Sequence, residues 1–79
     1  EEDDVHFLNA PIAGIFISHA KHGDFLQAGD NIGDIVDPLS GVILVRLKAP
    51  ATGILFTIRE YPVVDEGSLI ARILKRDEV

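Results

Sequence analysis

The 79-residue sequence has no cysteine, so no disulfide can staple it, and the redox compartment is left open. Basic side chains are also scarce. Seven Lys and Arg stand against 13 Asp and Glu, for a net charge of -6. The cations form no stripe, and with one Tyr, four Phe and no Trp there is no stacking platform. Nucleic-acid binding is therefore not expected. The acidity is uneven: Glu1, Glu2, Asp3 and Asp4 carry four of the charges, which leaves -2 on the other 75 residues. No apolar run approaches the roughly 18 residues of a membrane span, and the most apolar one, Val42-Ile43-Leu44-Val45, ends at Arg46. The first residue is Glu, not Met, and no charged-then-apolar leader follows it. The sequence thus reads as a soluble piece excised from a longer protein.

What is present is a chain of 47% apolar residues, enough for one small core. A domain of this size buries only about 60% of its unfolded surface, so its stability has to come from well-ordered packing. The chain also repeats itself. Ala10-Pro11-Ile12-Ala13-Gly14-Ile15 recurs as Ala49-Pro50-Ala51-Thr52-Gly53-Ile54, and Gly29-Asp30-Asn31-Ile32 with Ile35 recurs as Gly67-Ser68-Leu69-Ile70 with Ile73. Apolar residues alternate with period 2 after each Gly: Ile15 and Ile17 with Phe16 and Ser18, and Ile54, Phe56 and Ile58 with Leu55, Thr57 and Arg59. Helical spacing is not sustained anywhere.

These features predict an all-β domain of short antiparallel strands in two pseudo-symmetric halves. The β-branched run Val42-Ile43-Leu44-Val45 is expected to be its central strand, buried on both faces. Asp37-Pro38 and Gly41 carry the chemistry of a type I turn. Gly14, Gly29, Gly53 and Gly67 are expected to serve as structural turn glycines. The β body is expected over residues 10–74. Residues 1–9 would form a linker or entry strand, and residues 75–79 a tail.

A duplicated Ala-Pro-x-x-Gly strand followed by Gly-x-x-apolar-x-x-apolar resembles the biotinyl/lipoyl carrier domains, which implies the barrel-sandwich hybrid fold. Those carriers hold their group on a lysine at the tip of the joining hairpin, and here residues 37–41 contain none. A narrower pattern is Val36-Asp37-Pro38 with Gly41, Ala49-Pro50-x-x-Gly53, and Arg59-x-Tyr61-Pro62-Val63-Val64-x-x-Gly67. It resembles the C-terminal domain of the succinylglutamate desuccinylase/aspartoacylase family of zinc-dependent deacylases. That resemblance implies a noncatalytic accessory domain beside an N-terminal catalytic domain, which would be its partner and would hold the zinc. It also implies a cytoplasmic parent hydrolase of N-acyl amino acids. The fragment itself lacks the family's His-x-x-Glu pair, since His6, His19 and His22 are followed three residues later by Asn9, His22 and Phe25. No cofactor is expected on it.

Among side chains with chemistry, His19 and His22 have a spacing that can serve zinc, but Asp24 is the one obvious further ligand nearby, and residues three apart on an extended strand point to opposite faces. They read as a solvated turn. Ser18, Ser40 and Ser68 stand in no Gly-x-Ser-x-Gly elbow, and the glycines at 29 and 33 complete no phosphate loop. Arg59 and Tyr61 are the substrate-access or interdomain candidates. Pro62 biases Tyr61 toward an extended backbone, and an Arg with a Tyr can receive a carboxylate. An edge strand could also pair with a second copy, giving a homo-oligomer.

Overall fold

The computed structural model describes residues 5–76. The acidic run at residues 1–4 and the last residues of the tail, 77–79, lie outside them. Eight strands follow one another: β1 (Val5–Asn9), β2 (Gly14–Ser18), β3 (Phe25–Leu26), β4 (Asn31–Val36), β5 (Ile43–Lys48), β6 (Gly53–Ile58), β7 (Val63–Val64) and β8 (Leu69–Lys75). They form two four-stranded antiparallel sheets, ordered β1-β8-β6-β3 and β5-β4-β2-β7. Neither closes into a barrel, and the described residues contain no helix.

The sheet orders record the duplication. Replacing β1, β8, β6 and β3 by their counterparts four strands away gives β5, β4, β2 and β7, so each sheet takes two strands from each half. The hydrogen bonds repeat in step. Ala10 N donates to Ser68 O (2.7 Å) as Ala49 N does to Asp30 O (2.8 Å), and Gly67 N donates to Ala10 O (2.7 Å) as Gly29 N does to Ala49 O (2.9 Å). Phe16 N donates to Pro62 O as Leu55 N does to Asp24 O. Most of the core consists of the matched pairs Ala10/Ala49, Phe16/Leu55, Leu26/Val64, Ile32/Ile70 and Ile35/Ile73, joined by Leu47 and Ala71, all buried between the sheets. Neither half has a closed interior alone, so the two must fold together.

One expectation is overturned. Residues 42–45 do not form a central strand; β5 is an edge strand, with Ile43 41% and Leu44 43% exposed and Val42, just before it, 59%. The interior positions of that sheet belong to β4 and β2. A sandwich strand needs only one apolar face, so Gly33 and Asp34 do not bar β4 from the middle, and a continuous apolar run does not require the middle.

The glycines divide into two kinds. Gly29, Gly41 and Gly67 have φ of 94°, 77° and 91° and turn the chain in the left-handed region. Gly14 and Gly53, expected as turn residues, instead begin β2 and β6. A Cβ on Gly14 would lie 2.6 Å from Ile35 Cγ2 and 2.8 Å from Val36 O, and one on Gly53 would run into the Leu74 carbonyl. What the sequence repeats there is close strand approach. The Asp37 turn is built by its carboxylate, which accepts from Ser40 N (3.2 Å) and Ser40 Oγ (2.8 Å), while Asp37 O accepts from Gly41 N (2.8 Å). At its tip Leu39 is 95% exposed.

Candidate functional site

The loop after β2 and the loop after β6 are counterparts, and a groove of about 470 Å³ lies against both. Phe16, Ala20 and Ile58 provide its apolar part, and Ser18, Lys21, His22, Arg59 and Glu60 its polar part. His19 N donates to Ile32 O (2.7 Å) and Arg59 N donates to Ile70 O (2.7 Å), so His19 and Arg59 occupy matching backbone positions. The shift of one residue in the repeat there comes from a bulge in β6 at Phe56, where the β6–β8 register jumps from Leu55 to Thr57.

The two counterparts hold their loops by different means. Arg59 donates through Nε to Tyr61 O (3.0 Å), through one terminal nitrogen to Val63 O (3.1 Å) and through the other to Leu69 O (3.4 Å). It pins the loop through backbone carbonyls, and its guanidinium is largely committed to that task. His19 instead places Nε2 2.9 Å from Oδ2 of Asp34, which is buried in β4. This bond holds the Asp34 carboxyl below the usual carboxylate range. Burial opposes the shift, while Asn31, the nearby charge of His19 and Arg46 act in the same direction as the bond. Asp34 is the residue that sequence reasoning missed. Its signal was a carboxylate standing among apolar strand positions.

Of the expected candidates, Arg59 lines the groove and Tyr61 does not; Tyr61 is 67% exposed on the loop that Arg59 clamps. His19 and His22 part company, the first turned to Asp34 and the second lining the groove. The Asp24 carboxylate accepts from Lys21 N at 2.9 Å. Among the described residues no three His, Asp or Glu side chains gather as a metal-holding group. Ser18 Oγ donates to Ala20 O (2.6 Å) and accepts from Ala20 N (3.3 Å). No helix among the described residues is long and apolar enough to cross a membrane.

No family model and no curated protein matches the sequence. Solved structures do match. A succinylglutamate desuccinylase/aspartoacylase family protein from Shewanella amazonensis superposes with a TM-score of 0.80 at 17% identity, over 92% of this chain and 21% of that one. The Rhodobacter sphaeroides succinylglutamate desuccinylase/aspartoacylase gives 0.79 at 21% identity, over 95% and 23%. This chain shares their β fold. It spans less than a quarter of the length of these desuccinylase-type relatives. The urea carboxylase of Kluyveromyces lactis contains a similar segment, with a TM-score of 0.74 at 27% identity over 90% of this chain and 6% of that one.

Proposed function

We propose that this chain is the noncatalytic C-terminal β domain of a zinc-dependent N-acyl amino acid deacylase of the succinylglutamate desuccinylase/aspartoacylase type. In this reading it has the barrel-sandwich hybrid, lipoyl-like architecture and packs beside the active site of its own catalytic domain, shaping substrate access or assembly. The observation that carries the reading is one of proportion: nearly all of this chain superposes on about a fifth of such proteins. The likeness to a carboxylase shows that the fold alone does not fix a chemistry. The Asp37-Pro38 hairpin and the Arg59-x-Tyr61-Pro62-Val63-Val64 segment are what point to deacylases.

The residues described here do not fit zinc. A site needs three or four converging ligands, whereas His19 faces one carboxylate and His22 lies apart in the groove. Zinc in this reading is held by the rest of the polypeptide, and no step of hydrolysis falls to this chain. Arg59 and Tyr61 act through the shape of the 59–63 loop, with Arg59 clamping it and Tyr61 presented from it.

The test is zinc content and hydrolysis of a panel of N-acyl amino acids, measured on this chain and on the full-length polypeptide. Zinc and turnover in the full-length protein alone support the reading. Stoichiometric zinc on this chain, or no turnover by either, sinks it.

A further inference from the structure

Three of the four phenylalanines lie outside the core. Phe7 on β1, Phe25 on β3 and Phe56 on β6 are 58%, 47% and 46% exposed, all on the sheet β1-β8-β6-β3. Phe7 and Phe25 each have an in-chain neighbour packed in or against the core, Leu8 and Leu26, so alternation turns their rings to the outer face, and Phe56, at the bulge, meets Arg72. Phe7 is directly opposite Arg72 of β8, and the Arg72 guanidinium lies 5.5 Å from the centre of the Phe56 ring. Arg72 Nε donates to Thr57 Oγ1 at 3.1 Å. One row further along, Phe25 pairs with Ile54. The result is an aromatic surface around a fixed cation.

The matching positions of the other sheet differ. Opposite Asp34 are Arg46 and Ile17, and Asp34 also bonds His19, so charge on that face is answered within the domain. Among the described residues no carboxylate pairs with Arg72. Exposed aromatic side chains with an Arg at the centre are the composition of an interface core, not of a solvated face.

We propose that the outer face of β1-β8-β6-β3 is the docking surface of this domain, and that its occupant is an apolar surface carrying an acidic side chain for Arg72, supplied by the remaining part of the same polypeptide. This rests on the accessory-domain reading above. With no carboxylate on Arg72 among the described residues, the partner is assigned the complementary charge. A second copy of the chain on a two-fold axis passing through the centre of this face would set Arg72 against Arg72. In the desuccinylase-type relatives this fold makes up only 21–23% of the chain, so in this reading most of the polypeptide is left to supply the partner.

The absence of cysteine from this sequence makes a direct test simple. Phe7→Cys, Phe56→Cys and the control Ile17→Cys, on the other outer face, are each introduced into this chain and into the full-length polypeptide. Maleimide labelling is followed by mass spectrometry of the peptide containing each position. Labelling at 7 and 56 should be fast in this chain and at least about tenfold slower in the full-length protein, while position 17 labels equally in both. Arg72→Glu in the full-length protein should restore fast labelling at 7 and 56. Equal rates at 7 and 56 in the two proteins overturn the docking surface, and so does a position 17 protected as strongly. Protection in this chain alone that grows with its concentration overturns the choice of occupant in favour of a second copy. Labelling reads packing whatever the protein hydrolyses, so loss of the deacylase reading by the zinc and turnover assay leaves this result separately decidable.

Discussion

The two halves of this domain share a skeleton and differ in their outfitting. Backbone hydrogen bonds and most core residues correspond pair by pair, Ile32 with Ile70 and Ile35 with Ile73. The differences lie where the core makes no demand. One loop is tied by an imidazole to a buried carboxylate and the other by a guanidinium to three carbonyls. One outer face sets Arg46 beside Asp34, while the other sets Phe7 and Phe56 around Arg72. Shared burial therefore accounts for the fold, and departure from the repeat marks where function can reside.

The largest expected effect tests the shared part. Ile35 and Ile73 are both fully buried, so Ile35→Ala and Ile73→Ala should each destabilise the domain by about 2–5 kcal/mol. Because the halves interlock, urea unfolding should remain a single transition in both variants with similar losses. Two separated transitions, or a loss confined to one variant, would break the equivalence. Next come the glycines at the strand starts. Gly53→Ala meets the backbone of β8, which cannot swing aside, whereas Gly14→Ala first meets a side-chain methyl of Ile35. Both should destabilise, by about 1–3 kcal/mol, and Gly53→Ala should cost more in thermal unfolding. The reverse order would mean that β8 yields more easily than the Ile35 rotamer.

Much of this could be read from the residues alone, for reasons the comparison makes plain. The repeat of Ala10-Pro11-x-x-Gly14 at Ala49-Pro50-x-x-Gly53 and the period-2 apolar pattern report burial, and burial builds the sheets. The place of a strand within its sheet was not legible, because an apolar run such as residues 42–45 satisfies an edge as well as a centre. The clamp of Arg59 was hidden for another reason. Its partners are the carbonyls of Tyr61, Val63 and Leu69, and carbonyls have no sequence signature. The His19–Asp34 bond joins the loop just after β2 to β4, and only the register of β2 against β4 brings the two residues together.

The loop clamps give a smaller effect. Arg59→Gln removes donors from three carbonyls near the surface, where water can replace them, so the global loss should be about 0.5–1.5 kcal/mol. The local consequence is sharper: amide exchange at residues 60–64 should quicken while residues 20–24 stay unchanged. His19→Ala should do the opposite, quickening residues 20–24 alone. Exchange that rises in both loops with either variant would show that the groove acts as one unit across the halves.

The smallest effect concerns protons and separates the halves by pH. Asp34 has its folded-state pKa lowered from an ordinary value of 3.8, chiefly by its bond to His19. As pH falls, the unfolded chain therefore takes up this proton before the folded one does. The stabilisation from Asp34 is present above the unfolded value and lost as pH drops through the lower folded value. Asp34→Asn should therefore flatten the dependence of stability on pH in the acid range where carboxylates take up protons, whereas Arg72→Gln, at the counterpart position, removes no carboxylate and should leave that slope as it is. Chemical unfolding at a series of pH values measures both slopes. If Asp34→Asn keeps the slope of the parent chain, the His19–Asp34 bond does not persist in solution, and the first loop is held by its backbone alone.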